Sequence, residues 1–409
     1  MLVGVTFQDE RLELDVPEDR LVGQWHGPTG VAAQDVERLV IDALEQPRQY
    51  PPLRQAVVPG DHVVIALDAR EPHASAILRG VCGTLRNAGI DPASMTVLST
   101  LGPVPGIAPL ELPEQVSLVI HDPADRTELA YLASTQSGRR VYLNKLVTDA
   151  DFVLPIGRLG PDDVLGYRGP WRTLYPCLSD LETLQAFRGW ASEVQFNREQ
   201  PSKALSEVTE ASWLLGSQFH LGIVPGVVGP AEVVAGLDSA VREQGAAAIE
   251  RLWQFQVETR AELVVAGVGR PGAPSTLEEL ADGLSTATRL VERGGKIVIL
   301  SRAAGLLGPS FQKLIGVDNP RLALKALRGH EADLDYSAAR SLANALAWAD
   351  VYLLSSLKAD DVEDLAMVPL ERADEARRLV AASRSCLFLS QAELTSVHVL
   401  DESNDSTEA

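Results

Sequence analysis

Short apolar runs alternate with amphipathic segments along the first half of the chain. The run HVVIALD, at 62–68, is rich in β-branched residues and has the length of a buried strand. The segment 73–90 that follows is predicted to be a helix. Strand-like runs recur at 95–102, 116–122 and 150–156. Strands that alternate with helices predict an α/β fold with a mostly parallel sheet covered on both faces.

Other segments depart from this alternation. The opening residues alternate apolar and polar positions, as edge or hairpin strands do, and a helix is predicted at 33–45. The runs YLAST (131–135) and VYLNKLV (141–147) predict a hairpin. Residues 201–259 are predicted to be largely helical, with a break at LGIVPGVVGP and a long connecting helix at 239–263.

A second series of strands and helices begins at LVVAGVG and continues through KIVIL, a helix near 338–348 and DVYLLS. A chain of 409 residues exceeds the size at which a single core stops growing, so two domains are expected. We predict an N-terminal α/β domain at 1–260 and a C-terminal α/β domain at 261–400, followed by a disordered acidic tail at 401–409.

Composition and charge narrow the class of protein. Hydrophobic residues make up 45% of the chain and charged residues 22%, which is typical of a globular protein. A formal net charge of −20 would repel nucleic acid and anionic lipid, and no run is apolar enough to span a bilayer, so neither is expected as a partner. The N-terminus lacks the pattern of a signal peptide, which predicts a cytoplasmic protein. Three widely spaced cysteines predict buried thiols.

Candidate chemistry lies in loops that follow predicted strands, at 68–73, 101–106 and 157–163. Parallel sheets bind ligands at the carboxyl ends of their strands, so we expect these loops to converge on one crevice. The loop GRLGPDDVLGYRGPWRTLYP, at 157–176, combines glycines with acids and arginines, a set that can handle protons or anions. Asp68, at the end of the first strand-like run, is either a ligand contact or the N-cap of the following helix.

The pattern GVGRPG, at 267–272, fits a dinucleotide-binding fingerprint. Such a fingerprint needs a helix that begins inside it, whereas Pro271 and Pro274 delay the next helix to about Ser275. We therefore expect an ordinary glycine-rich loop, and an NADP-binding oxidoreductase is the weaker alternative. No histidine pair has metal-ligand spacing, and the sequence contains neither a GxSxG elbow nor a Walker loop.

The chain resembles the nickel-dependent lactate racemase family from about residue 30 to residue 375. The resemblance implies a larger N-terminal and a smaller C-terminal α/β domain, with a nickel pincer nucleotide in the cleft between them. Four stretches carry it: ALEQPRQYPPLRQAVVPGDHVVIALDAREP, RNAGIDPASMTVLSTLGP, VIHDPADRTELAYLASTQSGRRVYLNKLVTDADFVLPIGRLGP and ADVYLLSSLKADDVEDL.

Two of the family's motifs are altered in the first half of the chain. The family has an acid followed three positions later by Arg-Pro, and Asp68 and Pro72 match its ends. Glu71 stands where the resemblance implies an arginine, with Arg70 displaced by one position. The next strand of the family ends in Gly-Thr-His, whose histidine moves a substrate proton, and Val104 occupies that position here.

The remaining positions implied by the resemblance also differ. The second, catalytic histidine of a Gly-His-x-x-x-His segment corresponds to Asp162, and the lysine that tethers the cofactor corresponds to Arg172. The nickel-binding histidine falls near Arg188, and a Gln-x-x-Lys pair in the second domain corresponds to Glu279 and Asp282.

These exchanges remove the groups that the family uses to racemise lactate. Inversion of an α-hydroxy carbon needs a base on each face of the substrate, and valine cannot accept a proton. A guanidinium stays protonated, so it neither forms the tether nor replaces imidazole on nickel.

We therefore predict a diverged lactate-racemase-like protein that binds a small anionic metabolite in the interdomain cleft, with no cofactor and no metal. The candidate ligand-binding residues are Asp68, Arg70, Arg168 and Arg172, and the candidate catalytic residue is Asp162. The alternative is an active 2-hydroxyacid racemase or epimerase, or another enzyme that uses Asp162 as base and Arg172 as electrostatic clamp.

Overall fold

A computed structural model describes residues 1–68, 71–100, 109–162, 164–189, 202–271, 275–317 and 319–400. The chain divides into two compact units. The central unit is Pro28–Arg251, and the terminal unit consists of Met1–Gly27 together with Leu252–Ala409. This division differs from a single boundary at residue 260, because the first 27 residues fold with the C-terminal part of the chain.

The strands of the described residues are β1 (Leu2–Phe7), β2 (Glu10–Asp15), β3 (Leu21–Trp25), β4 (Val63–Leu67), β5 (Met95–Ser99), β6 (Ser117–Ile120), β7 (Leu129–Ser134), β8 (Arg140–Asn144), β9 (Phe152–Arg158), β10 (Gly160–Asp162), β11 (Gly166–Arg168), β12 (Phe219–Val224), β13 (Glu232–Leu237), β14 (Gln254–Val257), β15 (Ala261–Gly267), β16 (Val291–Leu300), β17 (Asp350–Leu354), β18 (Val368–Pro369), β19 (Cys386–Leu389) and β20 (Ser396–Val399).

The α-helices are α1 (Val36–Glu45), α2 (Leu53–Ala56), α3 (Ala74–Asn87), α4 (Lys145–Asp149), α5 (Pro170–Leu174), α6 (Leu181–Gly189), α7 (Lys203–Leu215), α8 (Asp238–Trp253), α9 (Leu277–Leu290), α10 (Pro309–Leu314), α11 (Pro320–Ala326), α12 (Tyr336–Trp348), α13 (Ala359–Asp364) and α14 (Ala376–Ala382). None of the described helices is long and apolar enough to cross a membrane.

The central unit is built on a sheet with the strand order β13-β12-β9-β4-β5-β6. All its neighbouring strands run parallel except β12 and β13, which are antiparallel. Val63, Ile65 and Leu67 of β4 are fully buried and belong to the same core cluster as Ile77 of α3 and Val40 of α1. The parallel arrangement brings the carboxyl ends of β4, β5, β9 and β12 to one edge of the sheet, called the central edge below.

The terminal unit contains a second sheet, ordered β18-β17-β16-β15-β19-β3, in which every neighbouring pair is parallel. Alternate residues of β15 face opposite sides. Val264 packs with α9 and α12, whereas Leu263 and Val265 pack with the β1–β2 hairpin and α14. Both faces are therefore covered, as the α/β prediction requires.

One prediction was wrong: residues 201–259 are not largely helical. They contain the strands β12, β13 and β14, and α8 ends at Trp253 although a helix was predicted to continue to residue 263. All six residues of β12 are buried, because this strand lies between β9 and β13. A short apolar run that is buried on both faces has no strand periodicity, so the sequence pattern alone does not separate it from a buried helix.

Candidate functional site

The loop at 157–176 folds into a hairpin and a short helix directly after β9. β10 pairs antiparallel with β11, so that Gly160 lies opposite Arg168, and α5 follows at once. At Gly157 a Cβ atom would lie 2.9 Å from the backbone of Pro170, closer than real Cβ contacts allow. Glycine at this position lets the end of β9 contact the start of α5, which places the helix at the central edge.

Asp162 holds this loop together. Its Oδ1 accepts hydrogen bonds from the backbone amides of Val164 (3.0 Å) and Leu165 (2.8 Å). Its Oδ2 lies 3.1 Å from Nε of Arg172, and the Asp162 side chain is only 6% exposed. Three donors to one carboxylate fix its orientation. This arrangement suits Asp162 as a link between the hairpin and α5 better than as a general base.

Four charged residues singled out by the sequence converge on the thiol of Cys177. Burial raises the pKa of Cys177, Arg172 and Arg188 lower it, and Asp68 and Asp162 raise it. Their common influence on one sulfur places these groups in one neighbourhood. Cys82 and Cys386 are buried as predicted, whereas the residue Cys177 is only partly buried.

The remaining predicted residues have different positions. Asp68 directly follows β4, but α3 begins at Ala74 with His73 as its N-cap, so the alternative prediction of Asp68 as N-cap was wrong. The carbonyl of Asp68 instead accepts a hydrogen bond from the amide of Glu71, at 2.9 Å, ahead of the start of α3. Arg168 is half-buried in β11. Arg70, Asp163 and Val104 lie outside the described residues.

The central edge is less acidic than the protein as a whole. Its described charged residues, taken from the ends of β4 and β9, the hairpin and the helices α5 and α6, include equal numbers of cations and anions, whereas the whole chain has a net charge of −20. They are Asp68, Glu71, Arg158, Asp162, Arg168, Arg172, Glu182 and Arg188.

A buried polar array, formed by His220, Asp238 and Arg242, packs against Trp171 of α5. Trp171, fully buried in α5, lies under the guanidinium of Arg242, whose Cζ is 3.9 Å from the ring centroid. Nε of Arg242 donates to both carboxylate oxygens of Asp238, at 3.0 and 2.9 Å. The carboxylate also lies 3.1 Å from Nδ1 of the fully buried His220. Sequence reasoning missed this array, because its members come from β12, α5 and α8 and share no local pattern.

The two positions compared with the family's Gln-x-x-Lys lie on α9 in the terminal unit. Glu279 completes a capping box with Thr276, in which each side chain accepts a hydrogen bond from the other residue's backbone amide at 3.1 Å. The same carboxylate lies 3.3 Å from Arg270. Asp282 follows one turn later on the helix. α9 starts at Leu277, after the GVGRPG pattern, close to the predicted start at about Ser275.

Comparison with known proteins finds one matching family model and similar solved structures. Residues 7–193 match the family model described as the lactate racemase N-terminal domain. The lactate racemase apoprotein of Thermoanaerobacterium thermosaccharolyticum superposes with a TM-score of 0.77 at 17% identity, covering 97% of this chain and 100% of that one. A Thermotoga maritima protein of known crystal structure gives a TM-score of 0.63 at 14% identity, covering 91% and 100%. No curated protein sequence matches the chain.

The two structural matches establish the fold, and residues 7–193 resemble the lactate racemase N-terminal domain. The α/β fold and the family resemblance that were predicted from the sequence are thereby confirmed. The chain has the fold of the lactate racemase apoprotein, and the match to the family model covers its residues 7–193.

Proposed function

We propose that this lactate-racemase-like protein binds a small organic anion at the central edge and does not use the nickel pincer nucleotide of the family. The pair formed by Asp162 and Arg172, at 3.1 Å, carries the proposal. It joins the positions where the resemblance implies a catalytic histidine and a tether lysine. Here they form an ion pair that organises a cationic loop.

The donor set does not fit the family's cofactor. Arg172, at the tether position, is a guanidinium and no practical nucleophile, and Arg188 supplies no lone pair to a metal. In the part of the chain that the structure describes, no group of three or more histidine, cysteine, aspartate or glutamate side chains is arranged to hold a metal ion. We therefore derive no step through nickel or through a covalent adduct.

The arginines and the position in the fold support an anionic ligand. In open α/β sheets, ligands bind outside the carboxyl ends of the strands, and the hairpin of β10 and β11 and helix α5, which carry Arg168 and Arg172, follow β9 directly. A guanidinium suits recognition of a planar carboxylate, and the acids of this edge are offset by arginines although the whole chain has a net charge of −20. The structural relative is named for lactate, which is a carboxylate. We propose that this site keeps recognition of a carboxylate after losing the groups that move its protons.

Thermal unfolding of the full chain with a panel of small carboxylates, including both enantiomers of lactate, tests the proposal. A ligand that binds only the folded protein stabilises it by about 2.7 kcal/mol at roughly 100 times its Kd, which raises the melting temperature by several degrees. We expect at least one panel member to do so, and we expect added salt to weaken the effect. Arg172→Ala should abolish it.

The chain offers a matched control for the loss of an ion pair between an arginine and a carboxylate. Arg139 pairs with Glu207 at 2.7 Å, and the side-chain exposures of 27% and 4% resemble the 24% and 6% of Arg172 and Asp162. Arg139→Ala should lower the melting temperature of the free protein but leave the ligand-induced shift intact. The proposal is rejected if no carboxylate shifts the wild type, or if Arg172→Ala and Arg139→Ala respond alike. If the protein racemises lactate after expression with the cofactor-making enzymes, the proposal that it does not use the nickel pincer nucleotide is wrong.

A further inference from the structure

The connection that follows β15 in the terminal unit is held in place at Gly269. The amide of Gly269 donates to Oε1 of Glu393, at 3.1 Å, and its carbonyl accepts a hydrogen bond from the amide of Gln8, at 3.2 Å. Gly269 has φ +106°, and a Cβ atom there would lie closer to Oγ of Ser275 than real Cβ contacts allow. The connection is therefore closely packed against the β1–β2 hairpin and the segment that contains Glu393.

The carboxyl group of Glu393 is enclosed by this packing. Glu393 belongs to a turn, Ala392–Leu394, that follows β19 and packs against α9, and only 2% of the residue is exposed. Its Oε2 is shielded from solvent and has no hydrogen-bond partner among the described residues. An ionised carboxylate is disfavoured in such a setting, because neither water nor a donor replaces the hydration of this oxygen. The packing therefore favours the neutral carboxyl.

Two charged side chains act most strongly on this carboxyl. Burial and the negative charge of Glu279, at the start of α9, raise the pKa of Glu393, whereas Arg270 and backbone amides oppose the increase, and the resulting value is about 7. Glu279 and Arg270 also lie 3.3 Å apart, so part of the charge of the arginine is already compensated. The β1–β2 hairpin contributes the uncharged Gln8. Glu393 therefore changes its charge in the neutral pH range.

We propose that the carboxyl group of Glu393 is a proton-dependent switch that controls opening of the connection after β15. The neutral carboxyl stays buried, and its Oε1 holds the amide of Gly269. Once the proton is lost, the buried oxygen requires hydration, and water reaches it only when the connection or the turn at Ala392–Leu394 opens. Loss of the proton therefore shifts this segment towards an open state. The switch lies wholly within the terminal unit and is independent of the anion site proposed for the central unit.

The sign and the size of the pH dependence follow from the two states. In the open state the carboxyl is hydrated and ionises near its ordinary pKa of 4.5, whereas the closed state keeps the proton up to about pH 7. The closed state is therefore favoured most at low pH, and it loses this advantage as the pH rises from 4.5 through about 7. Between pH 6 and pH 8, the equilibrium constant for opening should rise by about tenfold.

Hydrogen exchange of the full chain at pH 6, 7 and 8, corrected for intrinsic rates and followed by mass spectrometry, tests the proposal. Peptides that contain Gly269 should exchange about tenfold faster at pH 8 than at pH 6. Glu393→Gln keeps the acceptor for Gly269 but cannot ionise, so it should abolish the increase. Glu279→Gln removes a like charge and can keep the capping box with Thr276, so the increase should begin at lower pH. Arg270→Gln should move it to higher pH.

Glu207→Gln is the matched control, since Glu207 is also buried, at 5% exposure, but lies in the central unit next to Arg139. It should leave the pH dependence of the Gly269 peptides unchanged. The inference is overturned if these peptides exchange equally fast at pH 6 and pH 8 in the wild type after correction, or if Glu393→Gln retains the increase. It is also overturned if Glu279→Gln and Arg270→Gln shift the increase in the same direction.

Discussion

Replacement of Asp238 by asparagine tests how the buried array under α5 contributes to stability. Asp238 begins α8, and its carboxylate receives two hydrogen bonds from Nε of Arg242, while Nδ1 of His220 lies 3.1 Å away. Nη1 and Nη2 of Arg242 are buried and have no hydrogen-bond partner among the described residues. Asp238→Asn therefore leaves a guanidinium without its compensating charge in a setting where only 17% of its side chain is exposed.

The magnitude follows from the pKa of the carboxyl. Burial alone would raise the pKa of Asp238, but the bonds and charges of His220 and Arg242 outweigh it and lower the value from 3.8 to about 2. This difference corresponds to about 2.5 kcal/mol of unfolding free energy at neutral pH. With the cost of an unpaired buried guanidinium, we expect Asp238→Asn to lose about 3 to 5 kcal/mol.

The sign of the pH dependence is also fixed. Because the pKa in the folded protein is lower than in the unfolded chain, the stabilisation is fully present above about pH 4. It is lost as the pH falls through about 2. The difference in stability between wild type and Asp238→Asn should therefore be constant from pH 7 to pH 5 and should shrink between pH 4 and pH 2.

Urea unfolding followed by tryptophan fluorescence gives the stability, and hydrogen exchange of peptides from α8 shows where it is lost. Asp35→Asn is the matched control, since Asp35 precedes α1 and pairs with Arg38 at 3.2 Å, but with 37% and 76% of the two side chains exposed. It should cost less than about 1 kcal/mol. Equal losses for the two variants, or a difference that stays constant down to pH 2, would refute the reasoning.

Two further predictions concern the central unit. Gly30 has φ +76° and a Cβ atom there would lie within 1.9 Å of the carbonyl oxygen of Gly229, so Gly30→Ala should cost more than about 3 kcal/mol in urea unfolding. Gly60→Ala, at φ +104° with nothing within 4 Å, should cost only about 1 to 2 kcal/mol; similar losses would contradict the steric argument. Because burial raises the pKa of Cys177, its alkylation by iodoacetamide should be slow at pH 7 and faster towards pH 9. Mass spectrometry should show slower labelling in Arg188→Gln and faster labelling in Asp68→Asn, and the reverse order would contradict the assigned charges.

Local sequence patterns determined many of the elements. The β-branched run at 62–68 contains β4, the helix predicted at 73–90 contains α3, and the two runs at 131–147 form the β7–β8 hairpin. α9 begins at Leu277, close to the start predicted from Pro271 and Pro274. These features depend on backbone sterics and on a side-chain period that neighbouring residues set by themselves, so the sequence contains them directly.

Long-range packing decided the rest. β3 joins the sheet of the terminal unit through β19, more than 350 positions later in the chain, and β12 is a strand because it lies between β9 and β13. In the candidate site, the sequence supplied Asp162 and Arg172, but only the fold of β10, β11 and α5 shows that they pair. His220, Trp171 and Asp238 meet through three separate elements. Burial and ion pairing depend on which distant residues are brought together, and no periodicity within one segment encodes that choice.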